Sequence, residues 1–219
     1  MKRKFVFLAL LLLVSGKAYM QSRDIRLNVY GNYAFDDDVD SYYSNTSYYN
    51  GTIKGGFLWG GGLEFWMHKR AAIELLYLHE DTRAPMEYYD VTVKHSDLKL
   101  AMNYLMVGGT SVFGNGGRAE PYAGAMLGMG FGKVTDPNNG RTGNFTKFAW
   151  GFKLGVNIWT SDKVGLKLQT QLLSCPQSVG GGVYFGTGGA GAGVSAYSSM
   201  YQFTLGGGLT FKLGGGAKH

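Results

Sequence analysis

The feature that most constrains this chain is an alternation of apolar with small or polar residues, at a period of two, that returns eight times after residue 22. Side chains along a strand point to opposite faces in turn, so each such row marks a strand with one apolar face. Ile25, Leu27, Val29, Gly31, Tyr33 and Phe35 form the first row, and Phe57, Trp59, Gly61, Leu63, Phe65 and Met67 the second. Ala71, Ile73, Leu75 and Tyr77 form the third; Leu98, Leu100, Met102, Tyr104 and Met106 form the fourth, set against Asp97, Lys99 and Asn103. The other four run over Pro121–Phe131, Phe148–Ile158, Val164–Leu172 and Tyr201–Leu213. Each row spans roughly ten to thirteen residues, the length a tilted strand needs to cross a bilayer and about twice that of a common soluble strand.

The connections alternate as well. Residues 36–54, 80–96, 133–144 and 174–196 are long connections, and residues 68–70, 114–119 and 160–163 are short ones. Short turns in the periplasm and long loops outside the cell are what an up-and-down barrel with both termini in the periplasm requires. The expected fold is all-β: an eight-stranded antiparallel up-and-down transmembrane β-barrel over residues 19–213, with 214–219 as a C-terminal tail. Ten strands are the alternative, because Tyr88 to Val93 has the β-propensity to prolong its strands.

A soluble barrel would alternate equally well with its apolar face inward. Three features favour a membrane. The phase opposite the apolar one is thin, made of glycine, small residues and a few charges of both signs, where a soluble exterior would be dense in Lys and Glu. Aromatics gather near strand ends, where Tyr33, Phe35, Trp59, Phe65, Trp150, Trp159, Tyr201 and Phe211 would form an interfacial girdle. The chain also finishes on an alternating apolar strand, Leu209-Thr210-Phe211-Lys212-Leu213.

The N-terminus fits export. Met1-Lys2-Arg3-Lys4 is a basic start, and Phe5 to Val14 an apolar stretch too short to span a bilayer. Gly16-Lys17-Ala18 offers small residues for cleavage after Ala18, with cleavage at Ser22 as the alternative. Lys2, Arg3, Lys4 and Lys17 carry most of the net charge of +6, so the mature chain gives no argument for a nucleic-acid partner. A single cysteine, Cys175, excludes a disulfide framework and a cysteine zinc site, and is expected to be an incidental loop residue.

Ala149-Trp150-Gly151-Phe152-Lys153-Leu154-Gly155-Val156 with Lys163-Val164-Gly165-Leu166-Lys167-Leu168 resembles the penultimate hairpin of small outer-membrane barrels. Glu120-Pro121-Tyr122-Ala123-Gly124-Ala125 resembles a strand-opening pattern of the same group. Over its mature length the chain resembles the OmpA/OmpX/OmpW-like barrel superfamily, without a peptidoglycan-binding domain after the barrel. The resemblance implies a location in the bacterial outer membrane, contact with its lipids and lipopolysaccharide, insertion by the assembly machinery through the last strand, and a monomeric state.

In so narrow a barrel, charges on the inward phase must pair or hydrate. Arg26, Glu64, Glu74, Lys99, Glu120, Lys153, Lys167 and Lys212 are therefore expected to form a network in the lumen, either as a structural plug or as an ion path. Lumenal glycines relieve crowding, or alternatively open a cavity for an apolar ligand. Gly186-Thr187-Gly188-Gly189-Ala190-Gly191 matches a dinucleotide fingerprint formally but lacks the strand–helix context that gives it meaning. Asp36-Asp37-Asp38 and Asp40 read as a solvated acidic loop, with calcium or lipopolysaccharide bridging as the alternative. His79 with Asp81, and His95 with Ser96, are the candidates for rim chemistry, and neither spacing makes a triad. The expectation is thus no catalytic residue, no metal and no cofactor. The functional reading is a non-enzymatic barrel for envelope integrity and surface presentation; the alternatives are a narrow pore or channel for small hydrophobic molecules and, third, a lipid-modifying rim enzyme.

Overall fold

The computed structural model describes residues 24–44, 47–90, 92–114, 117–138, 140–175, 183–186, 189–192 and 200–213. The expected leader, with both cleavage positions considered for it, and the expected tail at 214–219 lie outside these residues. Twelve strands are described: β1 (Ile25–Ala34), β2 (Asp37–Ser44), β3 (Ser47–Ile53), β4 (Gly56–His68), β5 (Ala71–Asp90), β6 (Thr92–Val112), β7 (Ala119–Thr135), β8 (Thr142–Trp159), β9 (Val164–Cys175), β10 (Val183–Gly186), β11 (Gly189–Ala192) and β12 (Met200–Lys212).

Eight of them close a barrel. The order β5-β4-β1-β12-β9-β8-β7-β6 returns on itself through the β5–β6 pairing, and every neighbour is antiparallel. The first and last strands meet along a seam from Arg26↔Lys212 to Ala34↔Thr204. Closure leaves no strand edge with unpaired N–H and C=O groups, as a sheet within hydrocarbon requires.

The outer surface is apolar all the way round. Val29, Leu63, Leu75, Val107, Leu127, Leu154, Leu168 and Leu205, one from each barrel strand, are between 38% and 61% exposed. A continuous apolar band of this extent is suited to lipid rather than water.

Two expectations need correction. The stretch from Glu80 to Ser96 is a tall hairpin rather than a loop: β5 and β6 stay in register from Ala71↔Ser111 up to Asp90↔Thr92. Its Thr, Tyr and Val content carries the strands beyond the membrane without adding to their number in the barrel. The β2–β3 hairpin joins this outer sheet through Tyr49↔Tyr88, Asn50↔Glu87 and Gly51↔Met86.

The fourth apolar row also faces the other way. Leu98, Leu100, Met102, Tyr104 and Met106 are buried inside, while Lys99, Leu105 and Val107 point out. Above the lipid the exterior is water, so the upper part of β6 turns apolar groups inward as a soluble barrel does. Within the membrane, both phases of β6 are apolar.

Some inward glycines are set by close neighbours. A Cβ on Gly62 would fall on the Glu74 carboxylate, and one on Gly124 would lie 2.8 Å from Lys153 Cε, whereas one on outward Gly109 would meet nothing within 4 Å. Gly62→Val is therefore expected to cost about 1–3 kcal/mol through overpacking. Gly109→Ala should be neutral. Thermal unfolding followed by heat-modifiable gel mobility checks both; equal stability of the two variants would remove the crowding argument.

Candidate functional site: the barrel interior

The interior is built from the inward phase of all eight barrel strands and is layered along the axis. At the short-turn end Arg26 of β1 pairs with Glu120 of β7 at 3.1 Å. Its guanidinium lies 3.8 Å from the ring centre of Trp66 and 4.7 Å from that of Trp159, and Lys212 Nζ sits 4.0 Å from the Trp159 ring. Stacked cations and aromatics close this end.

The next layer holds the most buried charges. Lys153 is bonded to Glu74, which also accepts hydrogen bonds from Asn28 Nδ2 at 2.7 Å and from the Tyr30 hydroxyl. Lys167 lies 4.0 Å from Glu64 and 4.6 Å from the Tyr122 ring centre. Tyr122 donates to Gln169 at 2.9 Å. Glu74 tolerates burial because Lys153 and the neutral donors Asn28 and Tyr30 face it, whereas Lys167 Nζ and Glu64 Oε2 have no hydrogen-bond partner and face each other only at ion-pair distance.

Above them the bore is apolar, filled by Leu58, Leu76, Leu78, Tyr104, Met106, Met126 and Leu173. Toward the long-loop end Tyr104 donates to Gln202 at 3.1 Å, and Gln202 in turn donates to Glu80. Cys175 is at the end of β9 and buried within the interior, not in a loop.

Leu58, Leu78, Tyr104 and Met106 are 0% exposed, and Glu64, Glu74, Lys153 and Lys167 are 1% exposed. A water-sized gap beside any of them would leave accessible area on its wall. At both levels, then, the described side chains fill the bore.

The structure gathers Arg26 with Glu120, Glu64 with Lys167, Glu74 with Lys153, and Lys212 on Trp159. It does not bring Lys99 into the lumen: that side chain is exposed on the outer face of β6, at a level where the exterior is aqueous. Trp159 is likewise turned away from the girdle. It shares the inward phase of Lys153 and Asn157 and serves as the platform for two cations.

Among the other aromatics named for the girdle, Tyr33, Phe35, Trp59, Trp150 and Tyr201 face outward toward the long-loop end. Tyr33 with Phe35, and Trp150 with Tyr201, stack edge to face at 5.4 and 6.3 Å. Phe65 and Phe211 lie at the opposite end. The charge network expected from the sequence did not include Trp66, Tyr30, Tyr122, Gln169 and Gln202, although the last four stand on the phase opposed to the apolar rows. Their signal was available, since each has the parity of an inward charge or amide on its own strand.

The rim candidates do not assemble a triad. His79 Nδ1 lies 2.9 Å from Asn103 Oδ1 and its Nε2 3.2 Å from Asp81 Oδ2. Both ring nitrogens are thus engaged, one by an amide and one by a carboxylate. His95 and Ser96 point to opposite faces, and the Ser96 hydroxyl donates to Asp136 at 3.0 Å. The acidic run disperses to separate partners: Asp36 takes Lys54 and the Gly55 N–H, Asp38 takes Thr52, and Asp37 takes the Tyr201 N–H. The glycine fingerprint spans the facing ends of β10 and β11, which pair as strands.

Two solved structures share this architecture. Neisserial surface protein A is 13% identical, over 87% of this chain and 97% of its own, with a TM-score of 0.55. The outer membrane protein OprG from Pseudomonas aeruginosa is 10% identical, over 88% and 97%, with a TM-score of 0.54. No protein-family model and no curated protein matches the chain. The fold is that of an eight-stranded transmembrane β-barrel. Within that class it shares the small closed antiparallel barrel seen in these two proteins.

Two tests bear on these contacts. Glu74→Gln keeps an acceptor for Asn28 and Tyr30 but leaves Lys153 uncompensated. It should cost about 3–5 kcal/mol in denaturant unfolding from bilayers, most of it recovered by adding Lys153→Met. An innocuous Glu74→Gln would mean that the pair carries no such weight. The second concerns Asp36, whose carboxyl is held below the usual range by the Gly55 N–H and then by Lys54. A depressed carboxylate stabilises its latch above the unfolded value and loses it as pH falls through the folded one. The Gly55 amide shift should therefore titrate with a midpoint below the usual aspartate value of about 3.9; a midpoint at or above it would refute the latch.

Proposed function

We propose that this protein is a non-enzymatic integral barrel of the bacterial outer membrane that seals its own bore and carries a hydrogen-bonded β-surface outside the cell, in support of envelope integrity. The observation that carries this reading is the filled, charge-paired interior: a conducting pore needs continuous space along its axis, and the described side chains occupy it. The tall β5–β6 hairpin, with β2–β3 joined to it, supports the surface role. The basic, apolar leader in the sequence supports export, and the alternating last strand supports insertion by the assembly machinery. A barrel closed on itself supports a monomer.

A second reading, a channel for small apolar molecules, is favoured by one observation: Leu58, Leu78, Met102, Met106 and Leu173 form an apolar cluster in the upper bore, beside the buried Gln202 and Glu80. Vesicles carrying the refolded mature protein separate the two. The expected result is vesicles tight to both ions and small apolar dyes, with heat-modifiable mobility confirming the fold. Leak graded by solute size or polarity would replace the sealed barrel with a transporter.

A further inference from the structure

The two carboxylate oxygens of Glu74 hold two groups that can react with each other. Lys153 Nζ is bonded to one oxygen, and the Asn28 carboxamide donates through Nδ2 to the other at 2.7 Å. An amine and a carboxamide are the reactants of an amide exchange, and a carboxyl group touching both is the proton carrier that exchange requires. The three residues come from β8, β1 and β5, so only the closed barrel brings them together. Two glycines clear their approach. Gly62 is the register partner of Asn28, and a Cβ there would lie 2.9 Å from Glu74 Cδ; one on Gly124 would lie 2.8 Å from Lys153 Cε.

The surroundings suit the same chemistry. Lys153 and Glu74 are 1% exposed and Asn28 is 0% exposed, so bulk water does not compete for the carboxamide carbon. Among the described residues, Asn28 Oδ1 has no hydrogen-bond partner. Neither has the hydroxyl of Thr210, which faces Asn28 directly across the β1–β12 seam. An acceptor and a hydroxyl thus stand side by side where negative charge would develop during attack. Bound to one carboxylate, the amine and the carboxamide carbon lie about 4–6 Å apart, and attack needs about 3–3.5 Å. The flexible lysine stem spans that difference.

We propose that Lys153 and Asn28 become joined by an intramolecular isopeptide bond, which the folded barrel forms on itself with Glu74 as the catalytic residue. Glu74 takes a proton from the Lys153 ammonium. The free amine attacks Asn28 Cγ, the Nζ–Cγ bond forms, and the Thr210 hydroxyl donates to the oxyanion on Oδ1. Glu74 passes its proton to Nδ2 and takes a second one from Nζ; the Cγ–Nδ2 bond breaks and ammonia leaves. One ammonium, one carboxylate and one carboxamide become one amide, one carboxylic acid and one ammonia. The ion pair is the reactant state, and its conversion to neutral groups removes the burial cost of both charges. The link ties the seam strand β1 to β8 across the bore, whether or not the bore conducts.

The test is the intact mass of the mature protein, taken in denaturant and then at intervals after refolding in micelles. The unfolded chain should have its full mass, and the folded barrel should lose the mass of one ammonia. Trypsin should then release a branched peptide joining residues 27–54 to residues 148–163, uncut after Lys153. Lys167, equally buried but 4.0 Å from its carboxylate, should be cut normally. Lys153→Arg keeps the charge facing Glu74 but cannot form the bond, so its mass should stay whole. Glu74→Gln should slow the loss about a hundredfold or more. Heat-modifiable mobility establishes that each variant is folded; if Glu74→Gln does not fold, the branched peptide of the unaltered protein decides alone. Full mass in the folded protein, ammonia loss mapped to any other residue, or an unslowed link in folded Glu74→Gln would overturn the proposal.

Discussion

A sheet immersed in hydrocarbon cannot keep an edge, and most of what is distinctive here follows from that constraint. The antiparallel seam between β1 and β12 removes the last unpaired backbone groups. Closing after eight strands makes a bore only wide enough for side chains. The interior must then be filled, and because the exterior takes the apolar residues, much of the filling is polar. Arg26, Glu120, Lys153, Glu74, Lys167 and Glu64 are therefore paired or stacked, and Gly62 and Gly124 stand beside them because a Cβ at either position would collide with its neighbour.

The solvent rule changes along the length of a single strand. In the lower half of the barrel lipid is outside and the polar residues are inside. Above the aromatic level the outer face of β5 and β6 meets water while the inner face stays packed, so Leu98 and Leu100 turn inward while Lys99 turns out. Between these regimes lies an interior of Leu, Met and Tyr side chains that resembles the core of a soluble protein. The three-layer interior is thus a record of where the membrane begins and ends.

Much of the architecture was legible from periodicity, because parity along a strand assigns each residue to a face without any knowledge of partners. The rows beginning at Ile25, Ala71 and Val164 face outward in the structure as their alternation implies. The row beginning at Leu98 misleads because β6 is apolar on both phases within the membrane, and the polarity of its flanking charges reverses above it. Trp159 misleads for a different reason: proximity to a strand end suggested the girdle, whereas its parity with Lys153 and Asn157 puts it under Arg26 and Lys212. The pairing of particular charges was beyond reach, since β1 meets β7 and β5 meets β8 only across the bore. No local spacing encodes that distance.

The tall hairpin has a consequence for how the exposed surface can vary. From Met86↔Ser96 to Asp90↔Thr92 the register of β5 and β6 is held by main-chain bonds. At roughly 2.6 Å of height per residue, about ten residues above the aromatic level carry this ladder some 25 Å outward. A shape held by backbone does not depend on the identity of the side chains that decorate it. Successive substitutions on the outward positions can therefore repaint this face for any molecule that meets the cell, while the framework beneath keeps its contour.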